Sequence, residues 1–267
     1  MLGAVAGDII GSVYEVNPIK TKQFPLFHPL CRYTDDTVLS LAVAKALMED
    51  RDYARCLREL GRLYPGAGYG AAFFKWLNSS NPRPYGSWGN GAAMRVSPVG
   101  MAFQTEKEVL QEAARTAAVT HDHPEGIKGA QATALAVWLA RTTQDKELIR
   151  KEISCRFGYD LGRRLDDIRP LYSFDVSCQG TVPEALISFL ESDSWEDSVR
   201  NAVSLGGDSD TLACIAGAVA EAYYGLPPRP VLQKVKKILT QELWEILWSF
   251  YHQFSPALAT ELGDTDD

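Results

Sequence analysis

The sequence predicts an all-α fold, and three observations carry that prediction. Apolar residues recur at helical spacing along most of the 267 residues, the Val/Ile/Thr alternation that builds strands is scarce, and Gly, Pro and Asn gather in three stretches. Those stretches, 15–33, 61–70 and 78–92, read as long loops on a helical scaffold, where binding sites tend to be built.

The elements follow in chain order. "GAVAGDIIGSVYE" near the start and "GGDSDTLACIAGAVAEAYYG" near the end echo each other in Gly and Ala, which reads as small-residue helix packing and not as a repeat. Residues 34–49, "TDDTVLSLAVAKALME", open on Thr34, Asp35 and Asp36 and space apolar residues at Val38, Leu41, Ala42 and Ala46. With no Gly or Pro inside, they form a helix. Similar patterns predict helices over 106–119, 125–141, 145–156, 182–191, 195–203, 210–224 and 229–251. A chain of this length is near the upper size of one hydrophobic core, and residues 1–267 read as a single domain.

Composition narrows the function classes. With 46% hydrophobic and 23% charged residues the chain looks globular, and a net charge of −7 argues against general binding to nucleic-acid backbones or anionic membranes. The apolar run at the start carries Asp8 and lacks a basic leader, so it reads poorly as a secretory signal; no stretch reaches 18 uninterrupted apolar residues. The five cysteines are odd in number, far apart and without a CxxC pair, which favours reduced, mostly buried thiols over zinc clusters or disulfides. A cytoplasmic protein is expected, with a monomer as the default.

Two acidic clusters stand out. "TDDT" at 34–37 and "GGDSDT" at 206–211 each open a predicted helix, where carboxylates serve as N-caps and meet the positive end of the helix dipole. Capping explains either cluster alone. A second explanation covers both: burying paired anions costs several kcal/mol (~) unless something neutralises them, and Asp with Thr supplies the oxygen ligands that hard cations prefer. If the two helix starts meet, Thr34, Asp35, Asp36, Asp208, Asp210 and Thr211 can hold one or two such ions.

"GDIIGSVYE" at 7–15, "YTDDT" at 33–37, "GSWGNGAAMR" at 86–95, "TH" at 120–121 and "SLGGDSDT" at 204–211 occur in the order found in ADP-ribosylglycohydrolases. The chain resembles that family over nearly its whole length. The resemblance implies a compact orthogonal multi-helix fold with long loops lining one cleft, and two Mg²⁺ ions at the bottom of that cleft. It implies as metal ligands Thr34, Asp35, Asp36, Asp208, Asp210 and Thr211, and as catalytic acid/base Glu15, with Asp36 as the alternative. The serine-type members carry the equivalent of Glu15 on a mobile flap.

By the same resemblance the loop holding Gly86, Ser87, Trp88, Gly89, Asn90 and Gly91 binds the diphosphate and flanks adenosine, and His121 stands beside the substrate ribose. On physical grounds the glycines let backbone N–H groups face an anion, as in an anion-binding nest, while Trp88 is a stacking face or an ordinary packed aromatic. "YPGAGYG" at 64–70 is a further contact region. The "HD" at 121–122 also fits a metal-dependent phosphohydrolase, but that site needs more histidines upstream and only His28 is available. His123 reads as a helix-entry residue before Pro124.

The expected activity is Mg²⁺-dependent hydrolysis of the bond between C1″ of ADP-ribose and a modified group, a protein side chain or a small conjugate. The setting of Glu15 leans toward an O-linkage such as ADP-ribosylserine. Alternatives are an arginine N-linked ADP-ribosyl hydrolase and a non-catalytic ADP-ribose-binding module.

Overall fold

A computed structural model of the chain describes residues 1–263. Its first helices are α1 (Leu2–Val16), α2 (Asp35–Met48), α3 (Tyr53–Leu63), α4 (Ala71–Asn78), α5 (Gly91–Met94) and α6 (Ser97–Ala102). The middle of the chain forms α7 (Glu106–Ala118), α8 (Pro124–Thr143), α9 (Lys146–Phe157), α10 (Leu165–Ile168) and α11 (Cys178–Leu190). The last part forms α12 (Trp195–Val203), α13 (Ser209–Tyr224), α14 (Arg229–Ile238), α15 (Gln241–Phe254) and α16 (Pro256–Gly263). Among the described residues no strand forms, and one antiparallel bridge pairs Gly89 with Ser177.

The pairing of α1 with α13 sets the geometry of everything functional. Glycines four residues apart on α1 leave a groove that the α13 backbone fills: a Cβ on Gly3 would lie 2.3 Å from the Gly217 oxygen, and one on Gly7 only 2.1 Å from the Ala213 oxygen. The order of these contacts makes the two helices antiparallel. The echo of small residues at the two ends of the chain is therefore a close backbone contact. Glu221, buried near the end of α13, pairs with the Met1 amine at 2.7 Å and accepts from the Tyr251 hydroxyl, which fixes the start of α1. The other end of α1 then arrives beside the start of α13.

Around this pair lie α2, α8, α11 and α12, whose apolar side chains join one buried cluster. Helix α13 is buried on every side from Ser209 to Glu221, which explains why it reads as apolar throughout.

Several boundaries differ from the sequence expectation. The stretch 229–251 is two helices, because Leu239 is extended and the Thr240 hydroxyl accepts from the Leu243 amide to start a new one. Residues 61–63 finish α3, and α4 follows the loop 64–70. Helix α11 begins at Cys178, capped by Ser177 through the Gly180 amide. Residues 17–33 do lack helix, but they are tied down. Tyr14 donates to the Pro25 carbonyl at 3.2 Å, Arg200 donates to the Lys22 and Phe24 carbonyls at 3.0 and 2.8 Å, and Lys20 reaches the Tyr172 carbonyl at 2.5 Å.

Candidate active site

The starts of α2 and α13 meet at the bottom of a cleft of about 380 Å³. Thr34, Asp35, Asp36, Asp208, Asp210 and Thr211 all face it, and so does Glu15. The Thr211 hydroxyl bridges the two helix starts, donating to Asp36 Oδ2 at 3.3 Å. Capping does not account for the carboxylates. Thr34 caps α2 through the Asp36 amide at 3.3 Å, and Asp208, at the cap position of α13, makes no side-chain cap bond.

Two groups of carboxylates bring their oxygens within 4.8 Å of one another: Asp8 with Asp36 and Asp210, and Glu15 with Asp208 and Asp210. Asp210 belongs to both. Burial is the main force raising the pKa of each: Asp35 rises to about 7, with the charge of Asp8 adding to the effect, and Asp36 and Asp210 rise well above the usual range. Asp208 moves the same way, held back by hydrogen bonds from its neighbours. Anions packed this closely require either protons or a cation.

The donor set fits a hard cation. Every group offered is a carboxylate or hydroxyl oxygen, and Asp36 Oδ1 is buried with no hydrogen-bond partner. Asp8 differs from the rest. Its Oδ1 accepts from the Thr34 hydroxyl at 2.7 Å, and its Oδ2 accepts from the Thr34 amide at 2.9 Å, the Thr37 amide at 3.1 Å and the Thr37 hydroxyl. Four donors saturate it, so it builds the start of α2 more than it faces the cleft. The sequence reading missed Asp8; a lone carboxylate inside an apolar, glycine-spaced helix is the signal that finds it.

Glu15 sits in the last turn of α1, not in the loop expected to begin there. It is half-buried, and its pKa is raised first by burial and then by the Asp208 charge, with Arg32 opposing.

The Gly-rich loop divides. Ser87, Gly89, Asn90 and Gly91 line the cleft, while Gly86 and Trp88 do not, and Trp88 is 49% exposed. The expected anion nest is partly spent on the protein itself. The Gly86 amide donates to Asp122 at 2.7 Å, the Gly89 amide to Ser87 Oγ at 3.2 Å and the Asn90 amide to the Val176 carbonyl at 2.7 Å. The Asn90 side chain donates to Asp208 Oδ2 at 2.7 Å and Thr181 Oγ1 at 3.0 Å, so it orients a carboxylate. Apolar surface at the rim comes from Phe174 and Val176.

His121 lines the cleft beside Gly91, with Thr120 on its Nδ1 side at 2.7 Å. Burial and the Arg95 charge push its pKa down to about 2, so the ring is neutral. His123 caps α8, accepting from the Glu125 amide at 3.1 Å. The loop 64–70 forms another wall, where the Ala67 carbonyl accepts from the Asp35 amide at 2.9 Å.

The sequence profile of the ADP-ribosylglycohydrolase family matches residues 1–259. The chain belongs to that family. Among the relatives of this ADP-ribosylglycohydrolase is ADP-ribosylhydrolase ARH3 of Mus musculus, 27% identical, the match covering 86% of this chain and 84% of the relative. The human ARH3 is likewise 27% identical over 86% of this chain and 85% of its own. ADP-ribosylarginine hydrolase Tri1 of Pseudomonas putida is 26% identical, over 92% of this chain and 76% of the relative. A solved ADP-ribosylglycohydrolase-related protein complex superposes with a TM-score of 0.70 at 26% identity, covering 94% of this chain and 95% of that one. The fold is that of an ADP-ribosylglycohydrolase. Among the described residues no helix is long and apolar enough to cross a membrane.

Proposed function

We propose that this enzyme hydrolyses the O-glycosidic bond between C1″ of ADP-ribose and an acceptor hydroxyl, such as that of ADP-ribosylserine. In this reading two Mg²⁺ ions are held by Thr34, Asp35, Asp36, Asp208, Asp210 and Thr211. The observation that carries it is the unpartnered, buried Asp36 Oδ1 within a cluster of anions that Glu15 also faces. When bound, the ions would neutralise these carboxylates and supply Lewis acidity toward ribose hydroxyls and water.

The remaining work falls to the chain. Cleavage breaks the bond from C1″ to the acceptor oxygen and forms one from C1″ to a water oxygen, passing through oxocarbenium character that nearby carboxylates stabilise. Glu15 is the group that moves the proton, taking it from the attacking water and returning it to the leaving oxygen; burial and the Asp208 charge raise its pKa, which strengthens it as a base. Asp36 is the alternative proton carrier. Asn90 keeps Asp208 oriented, and His121 bonds the ribose. The Ser87–Gly91 segment and Phe174 form the wall against the rest of the nucleotide.

A serine-type linkage is favoured over an arginine linkage by Arg32, which lines the cleft and acts on Glu15. A guanidinium leaving group would meet a like charge there. A binding module without turnover has no use for a carboxylic acid facing the anion cluster. The five free cysteines suit the reducing cytoplasm.

Serine-linked, arginine-linked and free ADP-ribose, incubated with and without Mg²⁺, test the reading. Faster release of ADP-ribose from the serine-linked than from the arginine-linked peptide is expected, and only with Mg²⁺. Release of phosphate, or binding of ADP-ribose without turnover on either linkage, contradicts it.

A further inference from the structure

Arg95 reaches His121 through Thr120 at the floor of the cleft. Arg95 is fully buried just after α5, and its Nη2 donates to the Thr116 carbonyl at 3.1 Å and to Thr120 Oγ1 at 2.9 Å. Thr120 Oγ1 lies 2.7 Å from His121 Nδ1. A guanidinium carries donors only, so Thr120 meets Arg95 strictly as an acceptor. Its single hydroxyl hydrogen can then point at Nδ1, with the Tyr85 phenol as its other neighbour.

The far side of the ring looks onto glycine. A Cβ on Gly91 would lie 3.0 Å from His121 Nε2, and one on Gly89 would lie 3.8 Å from it, so these residues leave Nε2 open toward the cleft. We propose that Arg95, acting through Thr120, locks His121 in the tautomer with its hydrogen on Nε2, presenting one fixed hydrogen-bond donor to a ligand oxygen in the cleft. Arg95 and Thr120 are positioning residues in this arrangement and do not touch substrate.

The surroundings agree with a neutral donor. The groups that face the ring are Arg95, whose charge opposes a second cation, and Tyr85, whose ring centroid is 5.8 Å from that of the imidazole and whose phenol lies against Thr120. Arg95 Nε and Nη1 have no hydrogen-bond partner among the described residues, and the Asp35 charge reaches the guanidinium without bonding it. A neutral imidazole has one donor and one acceptor, and the relay decides which nitrogen plays which part. With the hydrogen on Nδ1 the cleft would face a lone pair, which repels a phosphate oxygen and can only accept from a ribose hydroxyl.

The tautomer is read directly by long-range proton–nitrogen correlation spectra of the protein labelled with ¹⁵N-histidine, the His121 signals being assigned by their loss in His121→Gln. The expected spectrum has a non-protonated Nδ1 and a protonated Nε2. Thr120→Val, of nearly the same shape, is expected to abolish the preference and give a mixture of tautomers. Thr120→Ser keeps the hydroxyl and restores the native pattern, and Arg95→Met shifts the population as Thr120→Val does. A hydrogen on Nδ1 in the native protein, or a Thr120→Val spectrum identical to it, overturns the relay. If Arg95→Met does not fold, the Thr120 pair decides alone.

The ligand half rests on the proposed ADP-ribose cleft, and a second measurement separates the two. ADP-ribose added with Mg²⁺ is expected to move the Nε2–H signal, and to bind Thr120→Val roughly tenfold more weakly. An Nε2–H tautomer that ADP-ribose leaves unmoved keeps the relay and removes the ligand from this part of the cleft.

Discussion

The Thr34 hydroxyl donates to Asp8 Oδ1 at 2.7 Å and accepts from the Asp36 amide at 3.3 Å, so its hydrogen is committed to Asp8 and one lone pair is left for a cation. Asp8 also takes the Thr34 and Thr37 amides. It thereby sets the start of α2 as a second layer behind the carboxylates that face the cleft. Asp8→Asn puts an NH₂ group against one of these donors and disturbs Thr34. Mg²⁺ affinity should fall by about 10–100-fold, as is typical when a partner of a metal ligand is lost. Calorimetric titration measures it; native affinity in the variant contradicts the assignment.

Metal-free stability should depend on pH in a definite direction. Burial raises the pKa of Asp35 to about 7 and that of Asp8 to about 6, and Asp36, Asp208 and Asp210 move the same way. Above about pH 4 the unfolded chain has released protons that the folded one retains. The stabilisation is complete at acid pH and is lost as the pH rises through about 7. In EDTA the Tm should therefore drop between about pH 5 and pH 8, by roughly 2–4 °C for each kcal/mol lost. Saturating Mg²⁺ should remove most of that drop. A metal-free Tm that climbs over this range contradicts the electrostatic account.

Glu15→Gln keeps the size and one oxygen of the side chain but cannot exchange a proton. The expected loss is about 10²–10⁴ in kcat, with the Mg²⁺-induced rise in Tm retained. An unchanged kcat on every linkage takes Glu15 out of the mechanism and leaves Asp36.

Arg32 should act on linkage preference more than on rate. An exposed charge contributes roughly 0.2–1 kcal/mol, which converts to about 1.4- to fivefold in relative kcat/KM. Arg32→Ala is expected to raise the ratio of arginine-linked to serine-linked turnover by that factor. A ratio that stays put or falls shows that Arg32 does not read the leaving group.

Much of this architecture was legible in the sequence for physical reasons. "TDDT" and "GGDSDT" each place oxygen donors at a helix start, and the structure brings the two starts together through Thr211 and Asp36. The all-helical class followed from helical periodicity together with the scarcity of strand-like alternation. What escaped were features set by contacts distant in sequence. The break at Leu239 and Thr240 lies in a continuous amphipathic pattern and depends on a local cap. Asp8 looked like a stray charge because its four donors come from residues 34 and 37. The Gly86–Gly91 loop carries the composition of an anion nest, yet Asp122, Ser87 and Val176 take three of its amides, and Trp88 turns outward. Glycine content shows that a backbone can approach a ligand; it does not show which partner the amides take.

The central claim is that the buried carboxylates need a divalent cation to do their chemistry, and one measurement tests it most directly. An ADP-ribosylserine peptide is incubated with protein stripped by EDTA, and release of ADP-ribose is followed as Mg²⁺ is restored. The account predicts no detectable release without metal, recovery on titration with Mg²⁺, and no recovery at any Mg²⁺ concentration in Asp208→Ala. Full turnover in the stripped protein, or native turnover by Asp208→Ala, contradicts it.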